Sequence, residues 1–264
     1  EWSEAADAGG FSSLGVVDRP RYDSYDPLST LGLAASVTER IGLVTMVVIG
    51  PLRNTALLAK ETATLDAVSG GRFTLGLGVG ARLDDYTAIG LSPDDRGNRL
   101  SDQLLDLRLH WGDDALGKTS ATGDGPRLVV GGMSDMTFSR VARFADGYVH
   151  GGGPPRTFER AAAKTLTAWE QMGRTGSPTF LAQGYFALGD EGTIEKGRDY
   201  MRDYYAFTGP FAERIAEGML STPQAIAQFV RGYAEAGCHE VVLMPAVADM
   251  EQLERLQDVV GGAT

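Results

Sequence analysis

Apolar positions recur along this chain in two alternating rhythms, and the clearest pair lies between residues 41 and 82. Residues 41–49, IGLVTMVVI, form a continuous apolar run, as expected of a parallel strand buried on both faces. Residues 73–79, FTLGLGV, are apolar and glycine-rich and predict a second strand. Between them, residues 54–68 carry Leu57, Leu58, Leu65 and Val68 at helical spacings, with Lys60, Glu61 and Asp66 largely off that stripe. A strand, a helix and a strand in that order predict a parallel crossover unit.

The alternation extends in both directions. Upstream it predicts a helix over 2–8, a strand over 12–17 and a helix over 27–40 capped by Asp26. Downstream it predicts a helix over 102–111, a strand over 127–132 behind the turn-rich GKTSATGDGP, and a helix over 136–145 capped by Ser134. Strand 147–150, helix 155–172 and strand 179–188 follow. A more helical stretch covers 193–206, 210–218 and 223–236, the last opened by Thr222 as cap and Pro223 at the first helical position. Strand 240–244 and helix 250–260 close the chain.

Seven strands alternate with helices, one short of an eight-stranded α/β barrel. The expected fold is a (β/α)8 TIM barrel built as one domain over residues 1–264, with its first strand missing from the N-terminus; an open doubly wound sheet is the alternative. Residues 113–126 are short for a place where many barrel enzymes carry a substrate-covering insertion.

Charge and cysteine content narrow the function classes. The net charge of −11, with no dense Lys/Arg cluster, argues against a nucleic-acid surface. A single cysteine, Cys238, excludes an internal disulfide and a multi-cysteine metal site, and no metal site is expected. No apolar run approaches the roughly 20 residues that span a bilayer, and no basic-then-apolar leader opens the chain. An acidic, cytoplasmic enzyme without membrane or nucleic-acid partners is expected.

In an α/β barrel the chemistry lies at the carboxyl ends of the strands. The residues there are Asp18 and Arg19; Thr45, Met46, Val47 and Val48; Gly78, Val79 and Gly80, followed by Ala81 and Arg82; Gly131, Gly132, Met133 and Ser134; His150, Gly151, Gly152 and Gly153; Gln183, Gly184 and Tyr185; and Met244. The glycines suit either tight strand-to-helix turns or a backbone cradle for a phosphate at a helix N-terminus. His150 is the histidine placed to move a proton near neutral pH, or to hydrogen-bond a cofactor. Tyr185 is placed for contact with a flat ligand. The aromatic run Tyr200, Tyr204, Tyr205, Phe207 and Phe211 suits a pocket wall, a subunit contact or plain helix packing. Asp84, Asp85 and residues 93–99 read as a solvated loop at the mouth, and Arg72 of SGGR as a structural residue paired with Asp66.

Four stretches carry a resemblance: DPLSTLGLAASVTERIGLVTMVV, LLAKETATLDAVSGGRFTLGLGVG, PRLVVGGMSDMTFSRVARFADGYV and STPQAIAQFVRGYAEAGCHEVVL. With them the chain resembles the bacterial luciferase-like flavin-dependent monooxygenases and their deazaflavin-dependent relatives. The resemblance implies an eight-stranded barrel with a flavin at its carboxyl-end mouth. It implies a cis peptide between Thr45 and Met46 under the flavin ring, and a phosphate loop at Gly131, Gly132, Met133 and Ser134. The implied cofactor contacts are those residues with Val47, Gly78, Val79, Gly80, His150, Gly151 and Tyr185.

The departures from that resemblance matter as much. Where several relatives have an acidic residue followed by a catalytic histidine, this chain has Asp18 and Arg19, and arginine cannot act as a base at neutral pH. Where sugar-phosphate-oxidising deazaflavin relatives place a glutamate, it has Ala81 followed by Arg82. Val79 stands where luciferase has a phosphate-holding arginine, leaving backbone groups or Arg53 for that task. Asp18, Arg19 and His150 are the expected catalytic candidates.

The implied activity is a two-component monooxygenase that takes reduced FMN from a separate flavin reductase and oxidises a small organic substrate with oxygen. No GxGxxG motif suggests a nicotinamide site of its own. The alternatives are a hydride-transfer oxidoreductase dependent on the deazaflavin coenzyme F-420, and a non-catalytic flavin-binding homologue. A homodimer is implied by the resemblance.

Overall fold

The structure is a computed structural model that describes residues 1–112, 121 and 124–261. Its strands are β1 (Ser13–Val16), β2 (Gly42–Thr45), β3 (Val48–Ile49), β4 (Phe73–Gly78), β5 (Arg127–Gly131), β6 (Gly147–His150), β7 (Thr179–Phe186) and β8 (Glu240–Pro245). The helices up to β6 are α1 (Trp2–Ala8), α2 (Pro27–Ser36), α3 (Thr55–Val68), α4 (Leu83–Ile89), α5 (Arg96–Trp111) and α6 (Asp135–Phe144). After β6 come α7 (Pro155–Gln171), α8 (Glu191–Tyr204), α9 (Phe211–Glu217), α10 (Pro223–Glu235) and α11 (Met250–Gly261).

All pairings are parallel, in the order β1-β2-β4-β5-β6-β7-β8, with the short β3 pairing beside β2 on β4. The strands curl into a nearly closed barrel whose two edge strands, β1 and β8, face each other across a seam. The Ser12 hydroxyl donates to Glu240 Oε1 across it at 2.6 Å. Gly15 lets the seam approach this closely, since a Cβ there would lie 2.6 Å from Val242 Cγ1.

Strand residues alternate between the barrel lumen and the helix layer, as the two-residue period requires. Val44, Met46, Val129, Val149, Leu181, Val242 and Met244 pack together inside the barrel. Leu43, Phe73, Leu75, Leu77, Leu128, Val130, Tyr148 and Phe180 point outward and form the larger core against the helices. Helix starts follow the capping residues read in the sequence, Asp26, Ser134 and Thr222, each accepting an amide hydrogen from three residues on; Asn54, read as the first helical residue, caps α3 in the same way.

Several local expectations are corrected. The run 41–49 is two short strands, β2 and β3, interrupted at Met46 and Val47. On α3 the buried face is Leu58, Ala59, Thr62, Ala63, Leu65 and Asp66, while Leu57 and Val68 are 64% and 62% exposed. The small residues pack inward because α3 lies close against its neighbours, and Asp66 Oδ2 accepts the Ala121 amide at 3.0 Å. Arg72 does not reach Asp66; it donates to the carbonyls of Ala35, Thr38, Ile41 and Ser69 and ties off the end of α2. Residues 93–99 are not a loop throughout, because α5 begins at Arg96. Asp85 is buried, accepting the Arg21 amide at 3.0 Å, rather than solvated. Most of the expected insertion site at 113–126 lies outside the described residues. Among the described residues no helix is long and apolar enough to cross a membrane, and no cluster of three or more His, Cys, Asp or Glu could hold a metal ion.

Candidate active site

The lumen alternation decides what the barrel mouth can offer. In β4 the outward residues are Phe73, Leu75 and Leu77, which leaves Thr74, Gly76 and Gly78 to face inward with little bulk. The space is taken by Val47. A Cβ on Gly78 would lie 2.9 Å from Val47 Cγ2, one on Gly76 would lie 2.9 Å from Val47 Cγ1, and one on Gly131 would lie 3.5 Å from both Val47 methyls. These glycines, expected to admit a flat ligand, first admit a valine that forms the floor of the mouth.

Val47 arrives there through a cis peptide, which joins Met46 to Val47 and not Thr45 to Met46. The one-residue difference follows from Thr45 remaining a strand residue. It pairs with Val16, and its hydroxyl both accepts the Gly76 amide at 2.8 Å and donates to the Gly76 carbonyl at 2.9 Å. Met46 still donates its N–H to the Val16 carbonyl at 2.7 Å, so the chain leaves the ladder only after Met46.

Beside this floor, the loop Gly131, Gly132, Met133 and Ser134 leads into α6. Gly132 has φ +139°, and a Cβ there would lie 2.6 Å from Thr137 Oγ1, so a larger residue would displace the first turn. Ser134 caps the helix, its hydroxyl accepting the Thr137 amide at 3.3 Å. The amides at the start of α6 could therefore receive an anionic group. Asp135, exposed and paired with Lys164 at 2.7 Å, answers part of the same helix dipole. Val79 and Gly80 turn away from β4, and the Tyr86 hydroxyl fixes the turn by donating to the Val79 carbonyl at 2.6 Å.

The three expected catalytic residues have other employment. Asp18 points outward from β1: Oδ2 accepts the Ile49 amide at 2.9 Å, and Arg53 pairs with the carboxylate at 3.3 Å. Burial raises its carboxyl above the usual carboxylate range, opposed by Arg53 and the Ile49 amide. Arg53, considered for phosphate binding, is committed to Asp18 and to Asp26 at 2.7 Å. Arg19 donates to the Tyr204 carbonyl at 3.1 Å and lies over the rings of Tyr22 and Tyr204.

His150 is the clearest correction. It shares the outward parity of Tyr148 on β6, so its ring sits between the barrel and α7 and is fully buried. Nδ1 meets the Tyr148 hydroxyl and Nε2 the Thr157 hydroxyl, both at 3.1 Å, and the rings of Phe158 and Tyr233 pack against it. Burial pushes its pKa down to about 4, so it is neutral at physiological pH. Its contacts join the Gly132 side to the loop after β6, because Tyr148 also donates to the Gly132 carbonyl at 2.9 Å.

A cavity of about 660 Å³ opens over β6 and β7, within the usual size range of small-molecule sites. Of the expected cofactor contacts, Met133, Gly151 and Tyr185 line it. Gln183 contributes a polar group, and Gly151 has open space where a Cβ would stand. Tyr205 and Phe211 of the aromatic run also line the cavity, and further wall comes from residues the sequence did not place at a site: Arg214 and Ile215 of α9, Met219 after it, and Phe229 of α10. The open glycine edge, apolar wall and adjoining amide cradle fit a flavin-sized ligand bearing a phosphate.

Known proteins share this fold. An uncharacterized protein of Mycobacterium tuberculosis is 31% identical over 207 residues, covering 66% of this chain and 72% of its own. Pyrimidine monooxygenase RutA of Escherichia coli is 34% identical over 166 residues, covering 54% of this chain but 44% of its own. Among solved structures, a coenzyme F-420-dependent secondary alcohol dehydrogenase bound to an F-420–acetone adduct superposes with a TM-score of 0.82 at 16% identity, over 100% of this chain and 93% of that one. The oxygenating constituent of a diketocamphane monooxygenase of Pseudomonas putida, in complex with FMN, superposes with a TM-score of 0.74 at 14% identity, over 98% and 89%. Residues 1–237 match the luciferase-like monooxygenase family, and the chain belongs to that family.

Proposed function

We propose that this chain is the oxygenating component of a two-component monooxygenase, using reduced FMN and oxygen on a small organic substrate. The observation that carries the reading is the chemistry of the cavity wall: among the described residues its lining includes no histidine and no carboxylate. Oxidising an alcohol by hydride transfer requires a group to take the hydroxyl proton. Oxygenation by a bound reduced flavin asks less of the protein, chiefly orientation and exclusion of water. The flavin supplies the oxygen chemistry when bound. Val47 would support its ring, the amides of Gly132 to Ser134 would hold its phosphate, and Tyr185 and Tyr205 would shield the reacting face. The relative RutA is itself named a monooxygenase, which supports the same reading.

Reduced flavin would come from a separate reductase, since no nicotinamide motif is present. A homodimer belongs to the proposal: Leu33 and Leu57 stand 73% and 64% exposed on the neighbouring helices α2 and α3, an apolar face suited to a second copy. Cytoplasmic location goes with this reading.

The test is oxygen uptake with FMN, a flavin reductase and NADH, at limiting reductase. The protein should change the rate or course of flavin reoxidation relative to free reduced FMN. Reoxidation identical to free solution would favour the non-catalytic homologue, and activity only with reduced coenzyme F-420 would favour hydride transfer.

A further inference from the structure

The cavity wall is uneven in one respect. The lining includes the buried Met201 and Met219 with Tyr185 and Tyr205, and the exposed Met133 at the rim, apolar, aromatic and, through the methionines, adaptable to different shapes. At α9 the wall carries a cation, Arg214, the single charged side chain among the described lining residues. Arg214 is exposed, and among the described residues its side chain makes no ion pair or hydrogen bond. Its neighbours differ: Arg198 is paired with Glu191 and Glu195, and Arg202 with Glu195, Asp199 and Glu213. In a chain of net charge −11, an unpaired guanidinium at the edge of an apolar cavity is a local exception to a field that repels anions.

We propose that this cavity takes a small molecule with an apolar or aromatic body and an anionic end group, and that Arg214 pairs with the anion. The body would lie against the methionines and tyrosines, and the carboxylate, sulfonate or phosphate would meet the planar guanidinium, which suits such groups in a bidentate manner. The proposal rests on the preceding reading in placing the body towards the flavin. The anion belongs to the substrate, because in that reading the amides of Gly132 to Ser134 take the cofactor phosphate.

The probe pair is anilinonaphthalene sulfonate and phenylnaphthylamine, the same ring system with and without the anion, followed by fluorescence on the full chain. Wild type should bind the sulfonate about tenfold more tightly than Arg214→Gln does, while the neutral probe binds both alike; Arg214→Lys should retain part of the preference. Arg214→Glu should weaken the sulfonate further. Equal sulfonate affinity in wild type and Arg214→Gln overturns the proposal, as does failure of wild type to bind either probe. Comparing FMN with riboflavin checks the source: Arg214→Gln should leave both affinities unchanged, and a loss confined to FMN overturns the assignment of the anion to the substrate. If the probes behave as stated but reduced FMN never binds, the function reading fails alone. If reduced FMN binds but the sulfonate shows no dependence on Arg214, the anion proposal fails alone.

Discussion

Arg19 and Arg82 donate to one acceptor, the Tyr204 carbonyl at the end of α8, at 3.1 and 3.2 Å. They come from the loops after β1 and β4, which puts two guanidiniums where the negative end of the helix dipole emerges. Both also lie over the Tyr204 ring, at 4.9 and 4.2 Å from its centroid. The next residue, Tyr205, walls the cavity, so the clamp sets the position of the segment that covers the site.

Removing the clamp should therefore loosen that cover before it unfolds the barrel. Arg82→Ala and Arg19→Ala should each cost about 1–2 kcal/mol, and the double variant less than the sum, because the two share an acceptor. Amide exchange should accelerate across residues 200–218 in hydrogen-exchange mass spectrometry. Unchanged protection there would remove the clamp from the account.

The glycine floor makes a pairwise prediction. Gly78→Ala places a methyl 2.9 Å from Val47 Cγ2 and should destabilise by about 1–3 kcal/mol. Adding Val47→Ala should relieve most of that cost. Gly76→Ala meets the Thr45 carbonyl oxygen at 2.2 Å, a backbone atom, and the same second substitution should not rescue it. Chemical denaturation of these four variants and of Val47→Ala alone gives the coupling directly.

Asp18 should behave as a structural residue. Asp18→Ala leaves Arg53 and the Ile49 amide without this partner and should cost about 3 kcal/mol. Flavin reoxidation per folded molecule should stay within a few-fold of wild type. A large loss of activity in a fully folded Asp18→Ala protein would return Asp18 to the catalytic group.

His150 ties stability to pH with a definite sign. Its folded pKa of about 4 lies below the usual value of 6.5, so between those two the unfolded chain takes up a proton that the folded chain does not. Stability should fall as pH drops from about 6.5 to about 4, by no more than about 3 kcal/mol from this group, and be unaffected by it above neutrality. In thermal melts across that range, His150→Gln should flatten the dependence. Its turnover at pH 7 should stay close to wild type once folding is corrected for, since the ring does not face the mouth.

Much of this architecture was legible in the sequence because its signals are local. The caps Asp26, Ser134 and Thr222 mark helix starts by side-chain chemistry alone, and β6 has the span its apolar run predicts. The site was less legible because it depends on facing. His150 follows Tyr148 by two residues, so the parity that sends Tyr148 into the helix layer sends His150 there too, and a place at a strand's end does not by itself carry that parity. Leu57 and Val68 fit a helical stripe, but the neighbours of α3 select its small residues for contact. Val47 as the occupant of the glycine floor, and Arg214 in the cavity wall, arise from tertiary approach that no periodicity carries.

The central claim is that the barrel mouth holds reduced FMN, and anaerobic titration of the purified chain with reduced FMN and, in parallel, reduced coenzyme F-420 tests it most directly. Saturable binding of reduced FMN, tighter than that of reduced F-420 and weakened at least tenfold by closing the cradle with Gly132→Val in a folded protein, is the predicted result. Binding of reduced F-420 in preference, or of neither, would contradict it.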